Sequence, residues 1–186
     1  NVNVKDDDGY TPLMLAVKEN PKLDLVEDLI NSGADVNIGD KDGRTSLMMA
    51  SMKYRPEVKI IEALLNAGAN LNIKDEDGWT ALMYNAKYKN PKVIKLLINM
   101  GANPDLTNSK GKSPLMIGLE KGLNLEGIKI LVHNGATINT KDQNGMTPLM
   151  YAAKEVEEES IIRFLIKSGA NLDVQDNIDM TSLAYA

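Results

Sequence analysis

The sequence predicts an all-α repeat solenoid, a stack of helix-turn-helix units joined by tight turns. Three observations carry that prediction. One stretch recurs: DDDGYTPLMLAV from Asp6, DKDGRTSLMMAS from Asp40, DEDGWTALMYNA from Asp75, NSKGKSPLMIGL from Asn108, DQNGMTPLMYAA from Asp142 and a shortened DNIDMTSLAYA from Asp176. The turn residue of each copy (Gly9, Gly43, Gly78, Gly111, Gly145, then Asp179) falls at intervals of 34, 35, 33, 34 and 34 residues, the period of a stacked array. A Gly-Ala pair at Gly33, Gly68, Gly101, Gly135 and Gly169 keeps the same period, always ten residues ahead of the next turn.

Each element of the unit has a local cause. Asp6 with Gly9 three residues on is a tight-turn signature. Thr11 can cap a helix with its hydroxyl, and Pro12 suits the first helical position, where no backbone N–H is missed. Leu13, Ala16 and Val17 then share one helical face, and Asn20-Pro21 ends the helix because a residue before proline is pushed out of the helical region. A second helix follows with Leu25, Val26, Leu29 and Ile30, and Gly33 ends it by adopting positive φ. Residues 35–38 run out as an extended arm to the next turn. Neither helix is long enough to stand alone, so stability must come from stacking. The chain therefore reads as one domain, 1–186, with units at about 6–39, 40–74, 75–107, 108–141 and 142–175 and a partial sixth at 176–186.

The interval from turn glycine to Gly-Ala varies (24, 25, 23, 24 and 24 residues) while the return interval does not. The slack is thus placed between the helices, at 18–22, 52–57, 87–92, 120–124 and 154–159, on one edge of the stack. Those loops range from basic Lys87-Tyr88-Lys89 to acidic Glu157-Glu158-Glu159.

Thr-Pro-Leu-x-x-Ala followed by Leu-Leu-x-x-Gly-Ala-Asp/Asn-x-Asn resembles the ankyrin-repeat family over essentially the whole chain. The resemblance implies an ankyrin-type stack of L-shaped repeats, each of two antiparallel helices with a projecting β-hairpin or turn finger, curved so that fingers and first helices line a concave protein-binding face. Two departures stand out. The His that the family has after Thr-Pro-Leu is replaced by Met14, Met48, Met83, Met116 and Met150, read here as gap-filling core. The small Ala of the first helix becomes Asn85 and Gly118 in the third and fourth units, the latter costing about 1 kcal/mol of helix stability. Both predict a soft region between those units.

Catalytic chemistry finds little support. The 43% hydrophobic content, with one Trp and one Phe, supplies a core of aliphatic residues. His133 is the only His and there is no Cys, so no metal or nucleophile set can assemble around them. His133 reads as a surface residue favoured by a helix C-terminus. The recurring Asp6, Asp40, Asp75, Asp142 and Asp176 read as turn caps. No phosphate-loop motif occurs, and the acidic residues 155–159 read as a solvated loop rather than a calcium site. No cofactor is expected. A net charge of −5 speaks against nucleic acid, and no apolar run is long enough for a bilayer.

What varies inside the constant frame points to recognition. The residues after the turn position are Tyr10, Arg44, Trp79, Lys112, Met146 and Met180. With units about 10 Å apart they form a column roughly 50 Å long, rich in the side chains that dominate binding hot spots. Flanking it are Asp8, Asp42, Asp77, Lys110 and Asn144, with Met52, Tyr88, Lys18, Lys87 and Lys154 at the groove base. The expected role is a non-catalytic protein-interaction scaffold. The alternative is the targeting or substrate-recruiting arm of a larger enzyme or secreted effector. Trp79 has two readings, partner contact or packing against the next finger. Without an initiating Met, and with Asn1-Val2-Asn3-Val4 resembling a repeat arm, more repeats or other domains are expected on either side. The segment itself is expected to be monomeric, with self-association through its ends possible, and an intracellular setting is favoured.

Overall fold

The computed structural model describes residues 1–19, 21–155 and 158–186. Among them the chain forms eleven helices, paired as expected: α1 (Pro12–Glu19) with α2 (Leu23–Asn31), α3 (Ser46–Ser51) with α4 (Val58–Asn66), α5 (Ala81–Lys87) with α6 (Pro91–Asn99), α7 (Pro114–Lys121) with α8 (Leu125–His133), α9 (Pro148–Glu155) with α10 (Glu159–Lys167), and α11 (Ser182–Tyr185) alone. First helices pack in a row, α1 on α3, then α5, α7, α9 and α11, and second helices form a parallel row.

Local chemistry sets the ends of each helix. The hydroxyls of Thr11, Thr45, Thr80, Ser113 and Thr147 accept the backbone N–H three residues on, at 3.3–3.4 Å. Gly-Ala closes each second helix with a paired motif: Gly33 N–H donates to the Ile30 carbonyl and Ala34 N–H to Leu29, both at 3.0 Å. The same two bonds recur at Gly68, Gly101, Gly135 and Gly169, satisfying carbonyls that a bare helix end would leave open. Asn20 of the expected Asn-Pro break lies outside the described residues.

One continuous core runs through the stack. Met14, Met48, Met83, Met116 and Met150 are all buried, at 0–1% exposure. Two of them also place sulfur over the capping residue's own N–H, Met14 on Thr11 at 3.4 Å and Met150 on Thr147 at 3.3 Å. The methionines thus fill the core as expected, and two of them also give the capping residue's N–H a weak sulfur acceptor.

Exposed apolar side chains include Leu15 and Leu25 in the first unit, Tyr54 and Met100 in the middle of the stack, and Leu172, Ile178 and Leu183 toward its other end. Leu25 was expected on the buried face; its counterpart Ile60 is buried, but Leu25 lies on the end face of the stack.

The arms are knitted by asparagine. Asn37 donates its amide to the Gly68 carbonyl at 3.1 Å and accepts the Asn70 N–H at 2.7 Å. Asn3 and Asn139 make the same pair of bonds to their following units.

The expected soft region is packed otherwise. The rows join most extensively between the third and fourth units, α5 with α7 and α6 with α8, whereas α4 and α6 form the loosest join of the second row. Asn85 is fully buried and re-bonded: its amide donates to the Ala81 carbonyl at 2.9 Å and its oxygen accepts from Asn90 at 3.4 Å. Asn90 in turn donates to the Lys53 carbonyl at 2.7 Å, tying the third unit to the second. At Gly118 an added Cβ would stand 2.9 Å from Leu123 Cδ2, and at Gly127 2.6 Å from its Cδ1. The two glycines form a slot for Leu123, which is 1% exposed.

Candidate functional site

The fingers are minimal hairpins closed by the turn aspartate. Asp40 illustrates the frame: its N–H donates to the Arg44 carbonyl at 3.0 Å, and its Oδ1 accepts the Arg44 N–H at 2.8 Å. The same clamp fixes Tyr10, Trp79, Lys112, Met146 and Met180. A carboxylate or, at Asn108, an amide therefore holds the backbone of each variable residue from both sides. The expected turn-capping role of these residues is what the bonding displays.

Successive fingers are joined by a backbone rung. Lys41 N–H donates to the Asp8 carbonyl, Glu76 to Asp42, Ser109 to Asp77, Gln143 to Lys110 and Asn177 to Asn144, at 2.8–3.3 Å. Gly78 makes this approach possible in two ways. Its φ is 77°, and a Cβ would sit 2.8 Å from the Ser109 nitrogen.

The second carboxylate oxygen is also used. Tyr84, Tyr151 and Tyr185, each nine residues after its turn aspartate, donate to Asp75, Asp142 and Asp176 at 2.5–2.6 Å. Burial first, and then the bond to the carboxylate, raises the Tyr84 and Tyr151 phenols far above the ordinary tyrosine value. In the second unit Arg44 takes this role, bonding Asp40 through Nε at 3.0 Å and also pairing with Asp42. Desolvation works against the Arg44 charge, but Asp40 and Asp42 outweigh it and raise its pKa.

The variable column lies behind the tips rather than at them. Asp8, Asp42, Asp77, Lys110 and Asn144 are exposed, whereas Tyr10, Arg44, Trp79 and Lys112 are half-buried and Met146 is buried at 8% exposure. Arg44 stays with the aspartates of its own turn, while Tyr10, Trp79 and Lys112 turn back toward the first helices. Lys18 lies 4.2 Å over the Tyr10 ring, Trp79 stacks on Tyr84 with centroids 5.1 Å apart, and Lys87 covers the Trp79 ring at 5.4 Å. Lys112 reaches Glu120 at 2.7 Å and lies 4.8 Å from the Tyr151 ring. Trp79 therefore packs on its own unit's helix, a third arrangement besides the two expected. Met52 is half-buried, and Tyr88 meets the exposed Tyr54 edge-on at 5.0 Å.

A cleft of about 310 Å³ opens between the third and fourth fingers, with Trp79, Lys87, Lys110, Lys112, Glu120 and Lys121 in its lining. Sequence reasoning passed over Glu120 and Lys121 as loop residues. The signal was present: Glu120 follows Lys112 by the same eight positions that separate Lys18 from Tyr10 and Lys87 from Trp79. Partial burial disfavours the Glu120 charge, but the bond and charge of Lys112, with help from Lys121, win and hold its pKa below the ordinary glutamate value.

The other features singled out are accounted for locally. His133 is exposed in the last turn of α8 with its ring edge-on to Phe164 at 5.5 Å. Of the acidic run, Glu157 lies outside the described residues, Glu155 pairs with Lys154 at 3.5 Å and Glu159 with Arg163 at 2.9 Å. Among the described residues no cluster of metal-binding side chains occurs and no helix is long and apolar enough to cross a membrane.

A family model described as ankyrin repeats (3 copies) matches residues 1–75, 57–142 and 124–186. No curated protein matches the chain.

Proposed function

The chain belongs to the ankyrin-repeat family, whose repeats generally serve as protein–protein interaction modules and are typically non-catalytic, and on that premise we propose that it is a scaffold docking another protein along the groove between fingers and first helices. The observation that carries this reading is the contrast within each finger. The clamping aspartate, the turn glycine and the capping hydroxyl are nearly constant, while the clamped residue is Tyr10, Arg44, Trp79, Lys112 or Met146. A frame that fixes the backbone of a changing side chain suits recognition. The rungs between fingers set the geometry before a partner arrives, so little ordering entropy is left to lose on binding.

Photocrosslinking residues in place of exposed Asp77 and Lys110, against one in place of Lys95 on the opposite helix row, test the reading. A partner that crosslinks from the two finger positions, not from position 95, and is lost in Trp79→Ala supports the groove. Capture from position 95 alone would place the interface on the outer face and overturn it.

A further inference from the structure

The charge of the groove changes sign at Trp79. On one side, four lysines (Lys87, Lys110, Lys112 and Lys121) face two carboxylates, Asp77 and Glu120. Glu120 is engaged by Lys112 at 2.7 Å and Lys121 at 3.2 Å. Lys87 and Lys110 have no carboxylate partner among the described residues, so two cations stand open beside an aromatic ring in a chain of net charge −5. One repeat earlier, a second cleft of about 190 Å³ is lined by Asp42, Asp75, Glu76 and Asp77 against Arg44. Arg44 is already held by Asp40 and Asp42, which leaves Glu76 and Asp77 without a cation partner among the described residues.

This alternation selects among anionic partners. A continuous polyanion such as a nucleic-acid strand would gain at the lysines and be repelled one repeat on. An isolated phosphate would find separate Lys point charges with Asp77 beside them, without the planar Arg fork that grips an oxyanion in two places. An extended polypeptide can change charge at that spacing: repeats about 10 Å apart correspond to roughly three extended residues.

We propose, building on the groove reading above, that this part of the groove receives an extended segment of the partner protein. That segment carries Asp or Glu over Lys87 and Lys110, an apolar side chain against Trp79, and Lys or Arg about three residues away over Glu76 and Asp77. The Trp79 face and the lysine stems supply apolar contact, and the open charges set register and direction.

The protein carries its own reporter, since Trp79 is its only tryptophan. Selection of a random, tryptophan-free peptide display library on the intact chain, followed by titration of the enriched peptides while Trp79 fluorescence is read, tests the assignment. Enriched peptides with an acidic and a basic residue about three apart, a saturable fluorescence change, and binding weakened about tenfold or more by Lys87→Glu with Lys110→Glu are the expected result. Lys95→Glu should bind as the parent does. The exposed Lys110→Glu alone, with an unchanged unfolding midpoint, guards against loss of fold. Peptides that shift Trp79 but carry no acidic residues overturn the charge assignment and leave the groove reading standing. Peptides that bind but leave Trp79 unperturbed overturn this placement, while the crosslinking comparison decides the groove reading separately. Equal displacement by a sulfated polysaccharide or single-stranded nucleic acid overturns the polypeptide occupant.

Discussion

Two of the positive-φ glycines, Gly68 and Gly78, differ in what a methyl group would meet. Gly68, with φ of 85°, closes a helix and has open space where a Cβ would stand. Gly78 shares the positive φ but lies against the Ser109 backbone. Gly68→Ala should therefore cost only the backbone penalty, about 1 kcal/mol. Gly78→Ala adds a clash with main chain that cannot rotate away, raising the loss to about 2–3 kcal/mol. Urea unfolding of the two variants checks this, and equal losses would remove the close-approach explanation. Asp179, at φ 62°, keeps the left-handed turn without glycine, as a short polar side chain can. Trp79→Ala should also cost stability, about 1 kcal/mol, because it loses the Tyr84 stack.

Within the elements, the fourth unit shows how a helix-breaking residue can strengthen a join. Gly118 lowers the helix propensity of α7, yet its missing side chain admits Leu123 between α7 and α8. Gly118→Ala gains about 1 kcal/mol of propensity and loses about 1–3 kcal/mol to overpacking, so net destabilisation is expected. In a Leu123→Ala background the clash is gone and the same substitution should stabilise. A double-mutant cycle by thermal unfolding measures the sign change; additivity would show that Leu123 does not fill the slot. This join also marks the limit of what was legible in the sequence. Helix pairs, caps, turn aspartates and the Gly-Ala terminators were readable because each follows from bonds within a few residues. The consequences of Asn85 and Gly118 were not, because they depend on Asn90, Lys53 and Leu123 (partners that propensity does not see). The groove was half legible: the eight-residue spacing from Lys112 to Glu120 repeats elsewhere, but the backward turn of Trp79 onto Tyr84 needs three dimensions.

Across the whole stack, the turn aspartates and their tyrosines form a set of anchors that links fold stability to alkaline pH. Tyr84 and Tyr151 donate to Asp75 and Asp142, which are nearly buried, and their phenols are raised well above the ordinary value. A group whose folded pKa is raised contributes stability that is complete below its unfolded pKa, about 10 for tyrosine, and lost as pH climbs from there toward the folded value. Above about pH 10 the unfolded chain releases phenolic protons that the folded chain keeps, so stability falls with rising pH. Lysine deprotonation overlaps this range, and the comparison that isolates the phenols is Tyr84→Phe with Tyr151→Phe. That variant should be less stable than the parent near neutrality, by about 1–3 kcal/mol for each buried carboxylate deprived of its donor. It should also lose stability less steeply through the alkaline range. Because repeats stabilise one another through their interfaces, both effects should appear in a single cooperative transition. Parallel stability–pH curves for parent and variant would show that the two phenols titrate as freely in the folded stack as in the unfolded chain, contrary to the anchoring geometry.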